Sequence, residues 1–466
     1  MKKCMLCVML LFFAAVGLYA QTTPKYPFPQ NVKYLHGNMT SVISNEFVKN
    51  WYDNWKKKYL QRCSNSVRPG VDPLSKSLVE AQGFAMVAVA YMGDKDLFDS
   101  LYAYYKSKQT NEGCGLMGWK VNGCDNFEDR GSATDGDIDV ACALIVADWQ
   151  WPDAGYKQKA KDLINTLKRM IATCGDKLAV YPGCGNGRPW GGCDETDISY
   201  YTPAFFRYFA EVSGDKDWTK LADDTHLIRD AAANSSTGLV PDWQSVGGRA
   251  GAGSRKGYFS FDAIRAPYKQ TMDFLWHGNE KAEAWAIKLT NWAYGFGVKK
   301  LVDGFNLNGT TASSNHNMAA IGSMAVAAMA NTPEILDTFA KEVITLRDDY
   351  WYSGYLGNLY LLALTGNMWT PEIIAAQVNT NHIKGKLAHK VQLKITRKVN
   401  RGLVISGIPQ NSMITLTSLS GKKAFSASIT DPNTPVNINS LQGGCYVLTI
   451  HDQQGKKLEG RMIPVY

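Results

Sequence analysis

Three segments of this 466-residue chain place carboxylates where chemistry would need them. In "SLVEAQGFAMVAVAYMGD", Glu80 stands in an otherwise apolar run. Such a glutamate points either to solvent or into the core. Inward, burial would raise its pKa and keep a proton on it near neutral pH, as a general acid requires. In "GSATDGDIDVACALIVADW", Asp135, Asp137 and Asp139 alternate ahead of an apolar run. The alternation imitates a calcium loop, but that loop needs Gly at its sixth position and Glu at its twelfth, where this chain has Val140 and Val146. Capping of a helix N-terminus, where acids meet the positive end of the dipole, accounts for at least one of the three. In "GYFSFDAIRAPYKQTMDFLW", Asp262 and Arg265 lie three apart and share a helical face. They form either a local ion pair or a base oriented by its cation.

These groups need a frame. Apolar periodicity between about 41 and 366 marks helices near 41–62, 76–92, 94–109, 137–150, 153–173, 200–213, 216–233, 262–276, 279–297, 316–331, 333–347 and 354–365. Several follow Asp, Ser or Thr, or hold Pro in the first turn, as N-termini do. The glycine-rich "VGGRAGAGSRKGY" lacks the Lys-Ser/Thr ending and preceding strand of a phosphate loop. A connector is expected over 371–385. Beyond it, the short alternating runs "VQLKITR", "GLVISGI", "SMITLTSL", "CYVLTIHD" and "EGRMIPVY", separated by turn signals, predict a small β-sandwich-like domain over 386–466.

Charge and cysteines narrow the class. From Lys384 onward there are 12 Lys and Arg against Asp431, Asp452 and Glu459, a net +9, so the rest of the chain carries about −1. The basicity belongs to the tail, and nucleic acid is excluded as the expected partner. "MKKCMLCVMLLFFAAVGLYAQ" reads as a signal peptide over 1–20, predicting a secreted or cell-surface protein. Export favours disulfides, and Cys114–Cys124 and Cys184–Cys193 are the expected short loops; Cys142, inside an apolar helix, is expected to be a buried free thiol. Beyond the signal there is no CxxC and no HExxH, so no metal or other cofactor is expected. The 13 Trp and 23 Tyr serve either as core or as sugar-stacking platforms.

Taken in order, the three segments resemble glycoside hydrolase family 8, the inverting endoglucanases, xylanases and chitosanases. "VEAQGFAM" is similar to the family's Ser-Glu-Gly-Gln-Gly-Tyr/Trp-Gly-Met, and "ATDGDIDVACAL" and "FDAIR" match its aspartate patterns. "DISYYTPAFFRYFAEVSGD", "TGLVPDW" and "DDYWYSGYLGNLYLLALTGN" resemble further family segments, so the likeness runs over about 30–370. It implies an all-α (α/α)6 barrel over 21–370. It also implies Glu80 as general acid, Asp262 as general base and Asp135 as the residue that holds the sugar at the cleavage point. Arg265 would orient the base. Trp119, Tyr352, Tyr355 and Trp190 would contact sugar, Trp119 and Trp190 by stacking. Inverting hydrolysis needs one protonated and one ionised carboxyl roughly 6.5–9.5 Å apart, with room for water between them.

The expected activity is endo-hydrolysis of a β-1,4-linked plant polysaccharide, glucan before xylan and xylan before chitosan, by a monomer. Val79, Ala81 and Ala85 depart from the family pattern around the glutamate and leave the substrate less determined than the reaction. A non-catalytic glycan-binding barrel would have no need of Glu80 and Asp262 together. A polysaccharide lyase would need basic residues to neutralise a uronate, where these segments are acidic. The tail is similar to sorting domains of secreted Bacteroidetes-type enzymes. It has no Trp and few other aromatic faces for binding glycan, so sorting or surface attachment is expected of it.

Overall fold

The computed structural model describes residues 23–251, 257–377 and, between 394 and 465, seven strands with parts of their turns. The signal peptide, part of the glycine-rich loop and most of the expected connector lie outside the described residues. Twelve α-helices run between Asn45 and Leu364: α1 Asn45–Tyr59, α2 Val79–Met92, α3 Lys95–Ser107, α4 Thr134–Gln150, α5 Tyr156–Leu167, α6 Pro203–Ser213, α7 Asp217–Ala232, α8 Ala266–His277, α9 Glu280–Phe296, α10 Met318–Ala327, α11 Pro333–Val343 and α12 Trp351–Leu364.

The helices alternate in character. In α5 the buried residues are Tyr156, Ala160, Leu163, Ile164 and Leu167, a single stripe at helical spacing. Each of the larger ones contributes about 1.5–3 kcal/mol by leaving water. In α4, α10 and α12 nearly every residue is buried, so these helices are packed on all sides. The even-numbered helices form the inner layer. α2 packs on α4, α6 on α8, α8 on α10, α10 on α12, and α12 returns to α2; a 3-10 turn at Ile198–Tyr200 touches both α4 and α8. Each odd-numbered helix packs outside on an inner neighbour.

Local chemistry sets the ends. Ser44, Asn279, Asn317 and Thr332 cap α1, α9, α10 and α11 through side-chain oxygens. The first turns of α2, α4, α8 and α12 have no side-chain cap. Glu80, Asp135 and Tyr352 each occupy the second position of their helix.

Loops between helices hold short antiparallel ladders, stapled by disulfides Cys63–Cys124, Cys114–Cys184 and Cys174–Cys193. The expected pairings Cys114–Cys124 and Cys184–Cys193 are therefore incorrect. Cys63–Cys124 and Cys114–Cys184 each join two different inter-helix loops, whereas Cys174–Cys193 closes within the loop between α5 and α6. Cys142 is a buried free thiol inside α4, as expected.

The chain divides into two compact units between Ile374 and Ala375. The second contains one antiparallel sheet of Lys394–Arg397, Leu403–Ser406 and Val436–Ile438. Its other sheet runs in the order Lys423–Ile429, Ser412–Ser418, Gly444–His451 and Lys457–Val465. Ile405 and Ile438 of the first sheet share an apolar core with Ile414, Leu416, Leu448 and Ile450 of the second. The strands at 423–429 and 436–438 add to the five expected runs.

Candidate active site

The uncapped ends of the inner helices converge because α2 and α4 touch backbone to backbone. A Cβ on Gly136 would stand 2.2 Å from the Val79 carbonyl oxygen, and one on Gly83 would stand 2.7 Å from that of Gly136. Only glycine permits this approach. It brings the starts of the two helices, and so Glu80 and Asp135, to one place.

Arg265 organises that place. It ends the 3-10 turn Ala263–Arg265 that leads into α8 and is 1% exposed. Its Nη1 donates to Asp135 Oδ2 at 2.5 Å and to Glu80 Oε2 at 3.1 Å, and its Nη2 donates to Asp262 Oδ1 at 3.3 Å. The guanidinium carbon lies 6.0 Å from the ring centre of Phe84 and 5.6 Å from that of Tyr200. One planar group thus spans Glu80 and Asp262, which limits the separation of the contacting oxygens to roughly 9 Å. A fourth acid, Asp197, stands 3.7 Å from Nη2.

One cation faces four carboxyls, and burial decides which stay protonated. Glu80 is pushed up to about 8, first by burial and then by Asp135 and Asp262, against the pull of Arg265. Its side chain is nevertheless about 22% exposed, so the acid reaches the cleft. Asp262 is more open, at 34%, and its Oδ2 accepts from the indole of Trp243 at 3.0 Å. The turn beneath it is held by buried Asp242, whose Oδ1 accepts the backbone N–H groups of Ser260 and Ala263, both at 2.8 Å.

The three aspartates of α4 have separate partners. Asp135 pairs with Arg265. Asp137 is fully buried and accepts from the Tyr105 hydroxyl at 2.6 Å and the Met117 N–H at 3.0 Å. That is a supporting position behind the site. Asp139 forms a bidentate pair with buried Lys269, both bonds at 2.9 Å. Lys269 lies on α8, four residues beyond Arg265, so α4 and α8 are joined by two ion pairs.

Beside the acids a cleft of about 310 Å³ is lined by Trp119, Trp190, Tyr200 and Trp243 along with Gly131–Ala133. Trp190 and Trp243 stack with rings 6.1 Å apart and 18° from parallel. Tyr352 borders the acids, its hydroxyl donating to the Phe261 carbonyl at 2.8 Å. Tyr355 is not brought to the cleft. It is fully buried, packs on Trp55 and Tyr59, and donates to the Gly70 carbonyl at 3.0 Å. One turn deeper along α12 than Tyr352, it lies below the rim where sugar would pass.

The sequence profile of the Glycosyl hydrolases family 8 matches residues 26–369. The chain belongs to this family. It is a glycoside hydrolase. It is 32% identical to Endoglucanase A of Acetivibrio thermocellus over 78% of this chain and 80% of that protein. It is 31% identical to Endoglucanase 2 of Ruminiclostridium josui over 79% of this chain and 83% of that one. Among solved structures, the beta-1,3-1,4-glucanase of Paenibacillus sp. X4 superposes with a TM-score of 0.67 at 26% identity, over 74% of this chain and all of that chain. A family 8 xylobiose complex from Teredinibacter turnerae shares the fold, with a TM-score of 0.62 at 21% identity.

Proposed function

We propose that this family 8 enzyme is an inverting endo-β-1,4-glucanase whose inner helices form an (α/α)6 barrel. The observation that carries the reading is Arg265 bridging Glu80, Asp135 and Asp262 at the barrel rim. Glu80, protonated by burial, donates to the leaving glycosidic oxygen. Asp262, open to solvent and held between Arg265 and Trp243, takes the proton of the attacking water. Asp135 has one buried oxygen without a protein partner among the described residues, which leaves it for a sugar hydroxyl. Trp119 and Trp190 supply apolar faces for pyranose rings.

Glucan is favoured over xylan because the relatives of highest identity reported above are endoglucanases, whereas the xylobiose-bound neighbour shares only the fold. Three disulfides support export to an oxidising compartment. The basic C-terminal strands would then serve sorting or surface attachment.

The test is a reducing-sugar assay on carboxymethylcellulose, barley β-glucan, xylan and chitosan, with proton NMR of the first-formed anomer. Glucan hydrolysis with inversion is expected. Glu80→Gln and Asp262→Asn should each lower turnover roughly a thousandfold or more, about 4 kcal/mol of barrier. Retention of configuration, or near-normal turnover in either variant, refutes the mechanism. Preference for xylan transfers the enzyme to the runner-up substrate.

A further inference from the structure

Asp197 is the acid beside Arg265 to which the mechanism gives no task. It ends the strand Thr196–Asp197 and precedes the turn Ile198–Tyr200 that leads towards α6. It is 0% exposed. Its Oδ1 accepts from the Ser199 N–H at 2.8 Å and the Ser199 hydroxyl at 2.7 Å, which fixes the rotamer. Its Oδ2 has no hydrogen-bond partner among the described residues and sits 3.7 Å from Arg265 Nη2, the nitrogen that donates to Asp262. Asp197 is also the direct cross-strand partner of Trp243, whose indole holds the other oxygen of Asp262. One two-residue ladder therefore places two groups around the base.

An ionised Asp197 would be expected to take Arg265 Nη2 at hydrogen-bond distance, as Asp135 takes Nη1. It does not. The groups that face it are Asp262 and Arg265 from the turn ahead of α8, Ser199 and Tyr200 from the turn that follows it, and Tyr201 just beyond that turn. Burial, followed by the charge of Asp262, drives its carboxyl well above the usual range, Arg265 and Ser199 notwithstanding. A buried acid in such surroundings stays neutral, and neutral acids can serve a site as hydrogen-bond donors.

We propose that Asp197 is a positioning residue that acts as an uncharged carboxyl. It fills the space beside Arg265 Nη2 without competing for its charge, leaving that nitrogen to the ionised base Asp262. Its proton sits on Oδ2, the oxygen that Ser199 does not hold. The inference rests on Asp262 being the base.

A neutral role makes the amide an adequate substitute, and a counter-ion role does not. Asp197→Asn should keep kcat within about threefold and leave the acid limb of the pH–rate profile in place. Asp197→Ala should lower kcat at least tenfold with KM within about threefold. An infrared difference spectrum of wild type minus Asp197→Asn at pH 7 should show a protonated carboxyl. This last measurement stands even where the alanine variant fails to fold. A loss in Asp197→Asn as large as in Asp197→Ala, a carboxylate band in the difference spectrum, or an unchanged kcat in a folded Asp197→Ala overturns the proposal. With Asp262→Asn inactive, such a failure concerns Asp197 alone. An active Asp262→Asn removes the base itself and this inference with it.

Discussion

At the residue scale the site turns on which carboxyl keeps its proton. Glu80 is raised to about 8, so the free enzyme holds the proton below that pH and releases it above. The kcat/KM profile should fall on its alkaline side with a midpoint near 8. Glu80→Gln should lose that limb along with the rate. A wild-type profile still flat a full unit above this pH would contradict the assignment of the acid. Much of this was legible in the sequence. A lone glutamate in an apolar run and a DxxR pair are visible without coordinates, and the family resemblance gave them roles. Partnerships across the fold were not. Asp139 meets Lys269 from 130 residues away, and the lysine carries no mark in "APYKQT". Asp197 lies in "GGCDETDISYY", where acids and glycines have no period to separate a site residue from a loop residue.

At the element scale, the one-sided helices announced themselves by period, and all twelve were expected, with bounds off by up to six residues. Errors fell at both ends: α5, expected to 173, stops at Leu167, α1 starts at Asn45 rather than 41, and two inner helices start early. α4 begins three residues before the expected 137 and α12 three before the expected 354, because all-round burial leaves no stripe to mark an end. Those starts are where the chemistry is. Tyr352 and Tyr355 look equivalent in sequence, yet a rise of roughly 4.5 Å along the helix separates rim from core. The crossing of α2 and α4 is the most exacting contact. In Gly136→Ala the new methyl would meet the Val79 carbonyl at 2.2 Å and the Glu80 nitrogen at 2.7 Å, both backbone atoms. The helices must part, at a cost of about 1–3 kcal/mol or more. Arg265 then cannot bridge Glu80 and Asp135 as before. Urea denaturation should show the lost stability, and the folded fraction should turn over at least tenfold more slowly. An unchanged kcat would mean that the crossing does not set the acid's position.

At the scale of the whole molecule, each unit has the means to stand alone. The helical unit encloses a continuous apolar core from Val32 to Ile373, and the strand unit encloses its own from Ile405 to Ile463. No residue is shared between the two cores. Glu80, Asp135, Asp197 and Asp262, the aromatic cleft and the three disulfides described above belong to the first unit, and the excess positive charge to the second. Catalysis and the tail's task are thus separable in the chain. An enzyme ending at residue 377 should fold with its disulfides formed and hydrolyse soluble glucan with kcat/KM within about threefold of the full chain. Thermal unfolding of the full chain should then resolve two transitions, only one of which survives truncation. A truncated enzyme that unfolds or loses most of its activity on a soluble substrate would show that the tail supports the barrel. In that case its basic strands would have to be counted among the elements that position the site.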